Sequence, residues 1–327
     1  MKRRIPGLIL LSVILLSACG RASDLGEESL TRVGFSQLGS ESDWRMANTE
    51  SMTAALSEEN GFELLFDNAK QRQENQLLAI RNFIQEDVDY IVLAPIMESG
   101  WDDVLQEAKE AEIPVIIVDR QIDVADEDLY TCWVGSDFRA EGERAVQWLE
   151  ETLRLQGRQD DPLRILHIQG TDGATAQIGR TEALAEAIRK HPNWEIAATL
   201  PGEYTEAKSY ELVRDFLVTD QRIDVIYSEN DNMSFGAIRA LDEAEIPYGN
   251  EGGILILSFD AVHDAMLLCR EGKINLCVEC NPLHGPRVSE LIRQMEAGET
   301  PEKQNYVEET LFSSDTLTDD MLREREY

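Results

Sequence analysis

Positive charge is what this chain lacks most: 30 Lys and Arg stand against 63 Asp and Glu among 327 residues, for a formal net charge of -33. A field of that sign repels nucleic acid and anionic lipid surfaces, and it disfavours an anionic ligand wherever no local cationic pocket overrides it. Histidine is scarce too, and the four present, His167, His191, His263 and His284, share no metal-ligand spacing. No G-x-S-x-G elbow occurs. The turn at 170–173 opens a helix with G-x-x-G, but it has neither the Lys-Ser/Thr of a P-loop nor the three glycines of a dinucleotide fingerprint. Acids are plentiful, yet no pair stands out as the two carboxylates of a glycosidase. Cysteine occurs five times. Cys277 and Cys280 make a C-x-x-C inside a strand-like segment, whereas a redox motif needs a helix N-terminus and a zinc site a second ligand pair, so both read as buried free thiols.

Long apolar runs are also missing. The one candidate, 5–16, is too short to cross a bilayer, and with Lys2, Arg3 and Arg4 before it and small residues after it, it has the layout of a secretory signal over 1–18. Leu16-Ser17-Ala18-Cys19 resembles the bacterial lipobox, whose cysteine becomes the lipid-modified first residue. Cys19 is therefore expected to carry lipid, with 19–30 as a flexible tether.

What remains is about twice the length of one ordinary domain, with 43% hydrophobic residues to build its cores. Short apolar runs alternate with amphipathic stretches: strands are expected at 33–37, 62–66, 90–94 and 115–118, then at 164–169, 195–200, 225–228 and 254–258, with helices between them. A helix near 261–270, the cysteine-bearing strand, a helix near 286–297 and an extended stretch 306–312 finish the chain. Runs apolar on both faces suit parallel strands, so the fold class is α/β with two doubly wound parallel-sheet lobes. No Pro/Gly/Ser-rich linker separates the two series, which points to short hinge segments.

In such sheets ligands sit beyond the carboxyl ends of the strands. Five ends carry unusual polar groups. After 33–37 come Ser40, Glu41, Trp44 and Arg45, a mixture of acceptor, guanidinium and indole suited to a sugar's hydroxyls and its C–H face. Asp119 and Arg120 follow 115–118, where a structural ion pair is the alternative. Arg180 lies in the helix after 164–169. Glu229 to Asn232 follow 225–228, and one of them is expected to cap a helix. Asp260 follows 254–258 and is a site residue or a cap. Trp44, with Phe35 or Trp101, offers a stacking face. Acids, amides and arginines from both lobes converging on one cleft suit a neutral polyhydroxylated ligand.

Val33-Gly34-Phe35-Ser36-Gln37, Ser40-Glu41-Ser42-Asp43-Trp44-Arg45, Gln73-Glu74-Asn75-Gln76, Ala94-Pro95, Trp101, Val118-Asp119-Arg120, Gly170-Thr171, Arg180, Asn230-Asp231, Phe259-Asp260 and Val278-Glu279-Cys280-Asn281-Pro282 occur in that order along nearly the whole mature chain. Together with the lipobox this set resembles the sugar-binding lipoproteins of bacterial ABC importers, in the ribose/galactose-type (type I) periplasmic-binding-protein family and most of all its galactofuranose-binding branch.

The resemblance implies two lobes joined by three hinge crossings near 135–137, 279–281 and 304–306. One lobe would be 31–136 plus 280–304, the other 137–279 plus 305–327. It implies a monosaccharide ligand, galactofuranose or a related aldose, with no catalysis, cofactor or metal, and a closed form that docks on an ABC permease and its ATPase. The protein would be a monomer outside the cytoplasm, held to the membrane only by its lipid. Carried over by position, the ligand-binding residues are Ser40, Glu41, Trp44, Arg45, Asp119, Arg120, Arg180, Asn230 and Asp260, with Glu279 and Asn281, which also belong to a hinge. The alternative is a sensor that presents sugar to a receptor or histidine kinase. A transcriptional repressor on the same fold is disfavoured, because a signal stands where a helix-turn-helix would be needed.

Overall fold

Four-residue runs such as Val115–Val118 are too short to stand alone and become strands because helices cover them on both faces. The computed structural model describes residues 29–219, 222–325 and 327. The signal segment and Cys19 lie outside the described residues. The chain first lays down β1 (Thr31–Gln37), α1 (Asp43–Ala55), β2 (Phe62–Asn68), α2 (Gln73–Gln85), β3 (Tyr90–Leu93), α3 (Asp102–Glu110), β4 (Val115–Val118) and β5 (Cys132–Gly135). It continues with α4 (Phe138–Leu155), β6 (Leu163–Gln169), α5 (Thr175–Lys190), β7 (Trp194–Pro201), α6 (Glu206–Thr219), β8 (Val225–Ser228), α7 (Asp231–Glu243), α8 (Gly249–Gly252), β9 (Leu255–Asp260), α9 (His263–Arg270) and β10 (Leu276–Glu279). It closes with α10 (Gly285–Glu296), β11 (Gln304–Tyr306), β12 (Leu311–Ser313) and α11 (Asp319–Glu324).

Two six-stranded sheets result, ordered β2-β1-β3-β4-β5-β11 and β7-β6-β8-β9-β10-β12. The two orders are equivalent, so the halves share a topology although no sequence repeat is visible. β11 joins its sheet parallel to β5, and β12 runs antiparallel to β10. In the first sheet α1 and α10 cover one face, through Met52, Leu56, Val288 and Leu291, while α2 and α3 cover the other through Ile80, Phe83, Val104 and Leu105. In the second, α4 and α5 lie on one side and α6, α7 and α9 on the other. This is the doubly wound α/β architecture expected, with both carboxyl edges available to form a site.

Three details differ from the sequence reading. β5 was not anticipated, because Cys132-Trp133-Val134-Gly135 is short and follows an irregular acidic segment. The stretch 306–312 is not one element: Gln304–Tyr306 pairs with β5 in the first sheet and Leu311–Ser313 with β10 in the second. The chain therefore changes sheets between Tyr306 and Leu311, beyond the expected passage at 304–306. Phe35 and Trp101 are fully buried in the cores on opposite faces of the first sheet and offer no stacking surface.

Candidate functional site

The carboxyl edges of the two sheets face each other, and the side chains between them surround a cavity. Eight residues expected at the site line it: Glu41, Trp44, Arg45, Asp119, Arg120, Arg180, Asn230 and Asp260. The first lobe supplies five. Ser42 caps α1 by accepting from the Arg45 amide at 3.2 Å, which sets Trp44 and Arg45 in the first helical turn above the end of β1. Arg45 then bridges two acids, Nε donating to Glu41 Oε1 at 3.1 Å and Nη2 to Asp119 Oδ2 at 2.5 Å. Asp119 thus pairs with a residue of α1 rather than with its neighbour Arg120, whose Nη1 donates to the Ile96 carbonyl at 3.0 Å.

In the second lobe Arg180 Nε donates to Glu141 Oε2 at 2.7 Å, Nη1 donates to the Glu229 carbonyl at 2.5 Å, and Nη2 lies 3.7 Å from Asp260 Oδ1. The guanidinium rests 4.8 Å from the centre of the Phe259 ring. Asn230 caps α7, its Oδ1 accepting from the Met233 amide at 2.9 Å, and so is at once a cap and a lining residue. Asp260 caps nothing: α9 has no side-chain cap, and the Val262 amide donates to Asp231 Oδ2 at 2.8 Å.

Burial governs the charges. It works against ionising Arg45, but the neighbouring charges of Asp119 and Glu41 outweigh it and hold the guanidinium firmly protonated. Burial likewise opposes the Asp119 carboxylate and is overcome by Arg45 and Arg120, which keep it below the usual carboxylate range. Asp260 goes the other way: burial, reinforced by Asp231, pushes its carboxyl well above that range against the pull of Arg180. Three acids and three arginines line the cavity, with buried Glu141 behind Arg180. The arrangement provides many hydrogen-bond donors and acceptors, as a neutral polar ligand requires.

Five further residues line the cavity: Ser42 and Cys280, which stand inside quoted motifs without being expected to bind, and Phe138, Ala176 and Tyr204, which no motif announced. Tyr204 follows β7, so the same strand-end logic applied to that strand would have found it. Its ring lies against Gly170, where a side chain would collide with it, and Arg120 of the other lobe sits 5.6 Å from its centre. The Tyr204 hydroxyl and Arg45 Nη1 are buried donors without a protein partner. Each such donor carries a desolvation cost of about 1–3 kcal/mol that a polar ligand would relieve. Three of the lining residues have strained backbone: Asp119, Tyr204 and Asp260 have φ of 64°, 61° and 107°.

The remaining three expected residues lie outside the cavity. Ser40 is exposed and accepts from Asn68 Nδ2 at 3.0 Å. Glu279 holds the C-terminal tail, accepting from the Thr310 amide at 2.8 Å and from Arg325 Nη1 at 2.6 Å. Asn281 braces its own turn, Oδ1 accepting from the Leu283 amide at 2.9 Å. Cys277 and Cys280 are buried free thiols, as their strand-like context suggested. Trp44 ties this hinge to the site, Nε1 donating to the Cys280 carbonyl at 2.6 Å.

Among known proteins, residues 33–284 match the family described as periplasmic binding protein domain. The chain is 36% identical to the galactofuranose-binding protein YtfQ of Escherichia coli (strain K12) over 318 residues, which is 96% of this chain and 98% of that protein. Among solved structures, the periplasmic binding protein of the arabinose ABC transporter from Shewanella sp. ANA-3, bound to α- and β-L-arabinofuranose, superposes with a TM-score of 0.84 at 37% identity, covering 90% of this chain and 96% of that one. A Mycobacterium smegmatis protein in complex with β-D-fucofuranose gives 0.82 at 40% identity, covering 87% and 91%.

Proposed function

Because the chain belongs to the periplasmic binding protein family, we propose that it captures a neutral monosaccharide between its lobes and delivers it to an ABC importer. It is a binding protein and not an enzyme. The observation that carries this reading is the cavity itself, where Asp119 and Asp260 at strand ends meet Arg45 of α1 and Arg180 of α5 from opposite lobes. Paired acids and guanidinium forks suit vicinal hydroxyls and ring oxygens, and the Trp44 indole suits a sugar's apolar face. Relatives with similar chains hold furanose rings, so galactofuranose or a related aldose is the ligand class. Closure follows from differential contact: a sugar touching both walls stabilises the closed form over the open one.

The partners that complete the reading are a membrane permease with its ATPase. The protein acts as a monomer outside the cytoplasm, tethered through lipid on Cys19, and no described helix is long and apolar enough to cross a membrane. Glu41, Trp44, Arg45, Asp119, Arg120, Arg180, Tyr204, Asn230 and Asp260 bind the sugar. Calorimetric titration with D-galactose, L-arabinose, D-fucose, D-ribose and D-fructose tests this, with D-galacturonate as the anionic control. Binding of one neutral sugar per chain and no binding of the uronate is expected, whereas absence of heat with every neutral sugar overturns the proposal.

A further inference from the structure

Behind the second wall, Glu229 is completely buried and its carboxylate gathers three donors from separate parts of the fold. Oε1 lies 2.8 Å from His167 Nε2 of β6 and accepts from Thr181 Oγ1 of α5 at 2.6 Å, while Oε2 accepts from the Gly170 amide at 2.7 Å. A carboxylate only accepts, so the histidine proton sits on Nε2. Thr181 passes the network on by accepting from Gln169 Nε2 and Gln177 Nε2, each at 3.1 Å, and Gln177 Oε1 accepts from the Gly173 amide at 3.1 Å. One acid thus fixes the 170–174 turn and the start of α5 against the end of β8.

Three lining residues of that region, Arg180, Tyr204 and Asn230, stand next to this carboxylate or to a residue that it holds. Arg180 precedes Thr181, and its Nη1 donates to the Glu229 carbonyl. Tyr227, two residues upstream, donates its hydroxyl to the Arg180 carbonyl at 3.0 Å, so the end of β8 grips Arg180 by both backbone and side chain. Gly170, held through its amide, is the surface against which the Tyr204 ring lies. Asn230 is the next residue in the chain. The Glu229 amide itself donates to the Ile168 carbonyl at 3.0 Å, which fixes the hub to the sheet.

Resting on the sugar-capture reading, we infer that Glu229 is the positioning residue of the second wall, its carboxylate setting where Arg180, Tyr204 and Asn230 meet the ligand. It touches no ligand itself. Glu229→Gln tests this, because the amide keeps the shape but turns an N–H toward a donor that only a carboxylate accepts. Titration with whichever of D-galactose, L-arabinose, D-fucose, D-ribose and D-fructose the wild-type chain binds should show affinity about tenfold weaker in E229Q. In an R180K background, where the guanidinium fork is already lost, the same change should cost less than about threefold.

Equal losses in both backgrounds, or an unchanged affinity beside a lowered melting temperature, overturn the inference and leave a merely structural acid. Thr181→Val removes one donor from the hub without burying a new polar group, and it stands in if E229Q does not fold. About threefold weaker binding is then expected, and wild-type affinity overturns the inference. No heat from the wild-type chain with any of the five neutral sugars overturns the sugar-capture reading and this inference with it, whereas a binding wild type beside an equally binding E229Q overturns this inference alone.

Discussion

Asp43 and Asn232 hold each other from opposite lobes, the Asp43 amide donating to Asn232 Oδ1 at 3.2 Å while Asn232 Nδ2 donates to Asp43 Oδ2 at 2.9 Å. Each lies in the first turn of a helix, α1 or α7, whose neighbouring residues line the cavity, so the pair can exist only while the lobes are closed. Two solvent-facing bonds add about 1 kcal/mol to the closed form. Asn232→Ala should therefore release sugar roughly fivefold faster with little change in association. Stopped-flow displacement measures both rates, and identical release rates would show that the pair contributes nothing to closure.

Arg120 joins the walls differently, with its Nη1 on the Ile96 carbonyl and its guanidinium near the Tyr204 ring across the cleft. Hydrogen bonds to a charged group are worth about 1.5–3 kcal/mol each, so Arg120→Ala should weaken sugar binding at least about tenfold. Folding loses far less, and the melting temperature should move by only about 2–4 °C per kcal/mol lost. Titration calorimetry and thermal unfolding on the same sample separate the two effects. Near-wild-type affinity would remove Arg120 from the site.

Stability should fall as pH rises from about 5 to 8. Burial raises the Asp231 carboxyl to about 7 and, with Glu141 adding, the Glu309 carboxyl to about 8. The unfolded chain releases those protons near pH 4, so between there and the folded values the folded state binds more protons and loses stability as they leave. Asp119 has the opposite sign: its lowered carboxyl contributes stability above the ordinary carboxylate range and loses it only in acid, outside this window. The melting temperature without sugar should be higher at pH 5 than at pH 8, and Glu309→Gln should flatten the slope. A melting temperature that climbs steadily to pH 8 would contradict both assignments.

Gly285 lets the start of α10 rest directly on the Ser51 carbonyl of α1, where a Cβ would collide with that oxygen. Gly285→Ala should cost about 1–3 kcal/mol through this overpacking and lower the melting temperature of the first lobe. Sugar affinity measured well below that transition should be unchanged, since neither helix face involved lines the cavity. Calorimetric unfolding checks the first expectation, and an unaltered transition would mean that the two helices are not held together this way.

These residues also show what a sequence discloses. Val115–Val118 announces a buried strand by composition, so the polar Asp119 and Arg120 after it had to be either an ion pair or a site. Glu41, Trp44 and Arg45 were legible for the same reason. Tyr204 was readable only as a position past the end of the expected strand 195–200, because the turn after β7 carries no recognisable pattern. Glu279 and Asn281 lie outside the cavity: a hinge and a ligand shell use similar polar residues, and only the fold shows that Glu279 holds the chain's own tail. Glu229 looked like one of four interchangeable polar residues at a helix start. Its role depends on His167, Gly170 and Thr181, whose nearness to it is a property of the sheet order and not of any local spacing.

The central claim is that one sugar lies between the Arg45–Asp119 pair of the first lobe and the Arg180–Asp260 pair of the second. A crystal structure of the chain grown with its tightest-binding neutral aldose tests it most directly. A single sugar ring is expected in the cavity, hydrogen-bonded to side chains of both lobes and packed against Trp44. A sugar bound elsewhere, or one touching a single lobe while the cavity stays closed around water, would contradict it.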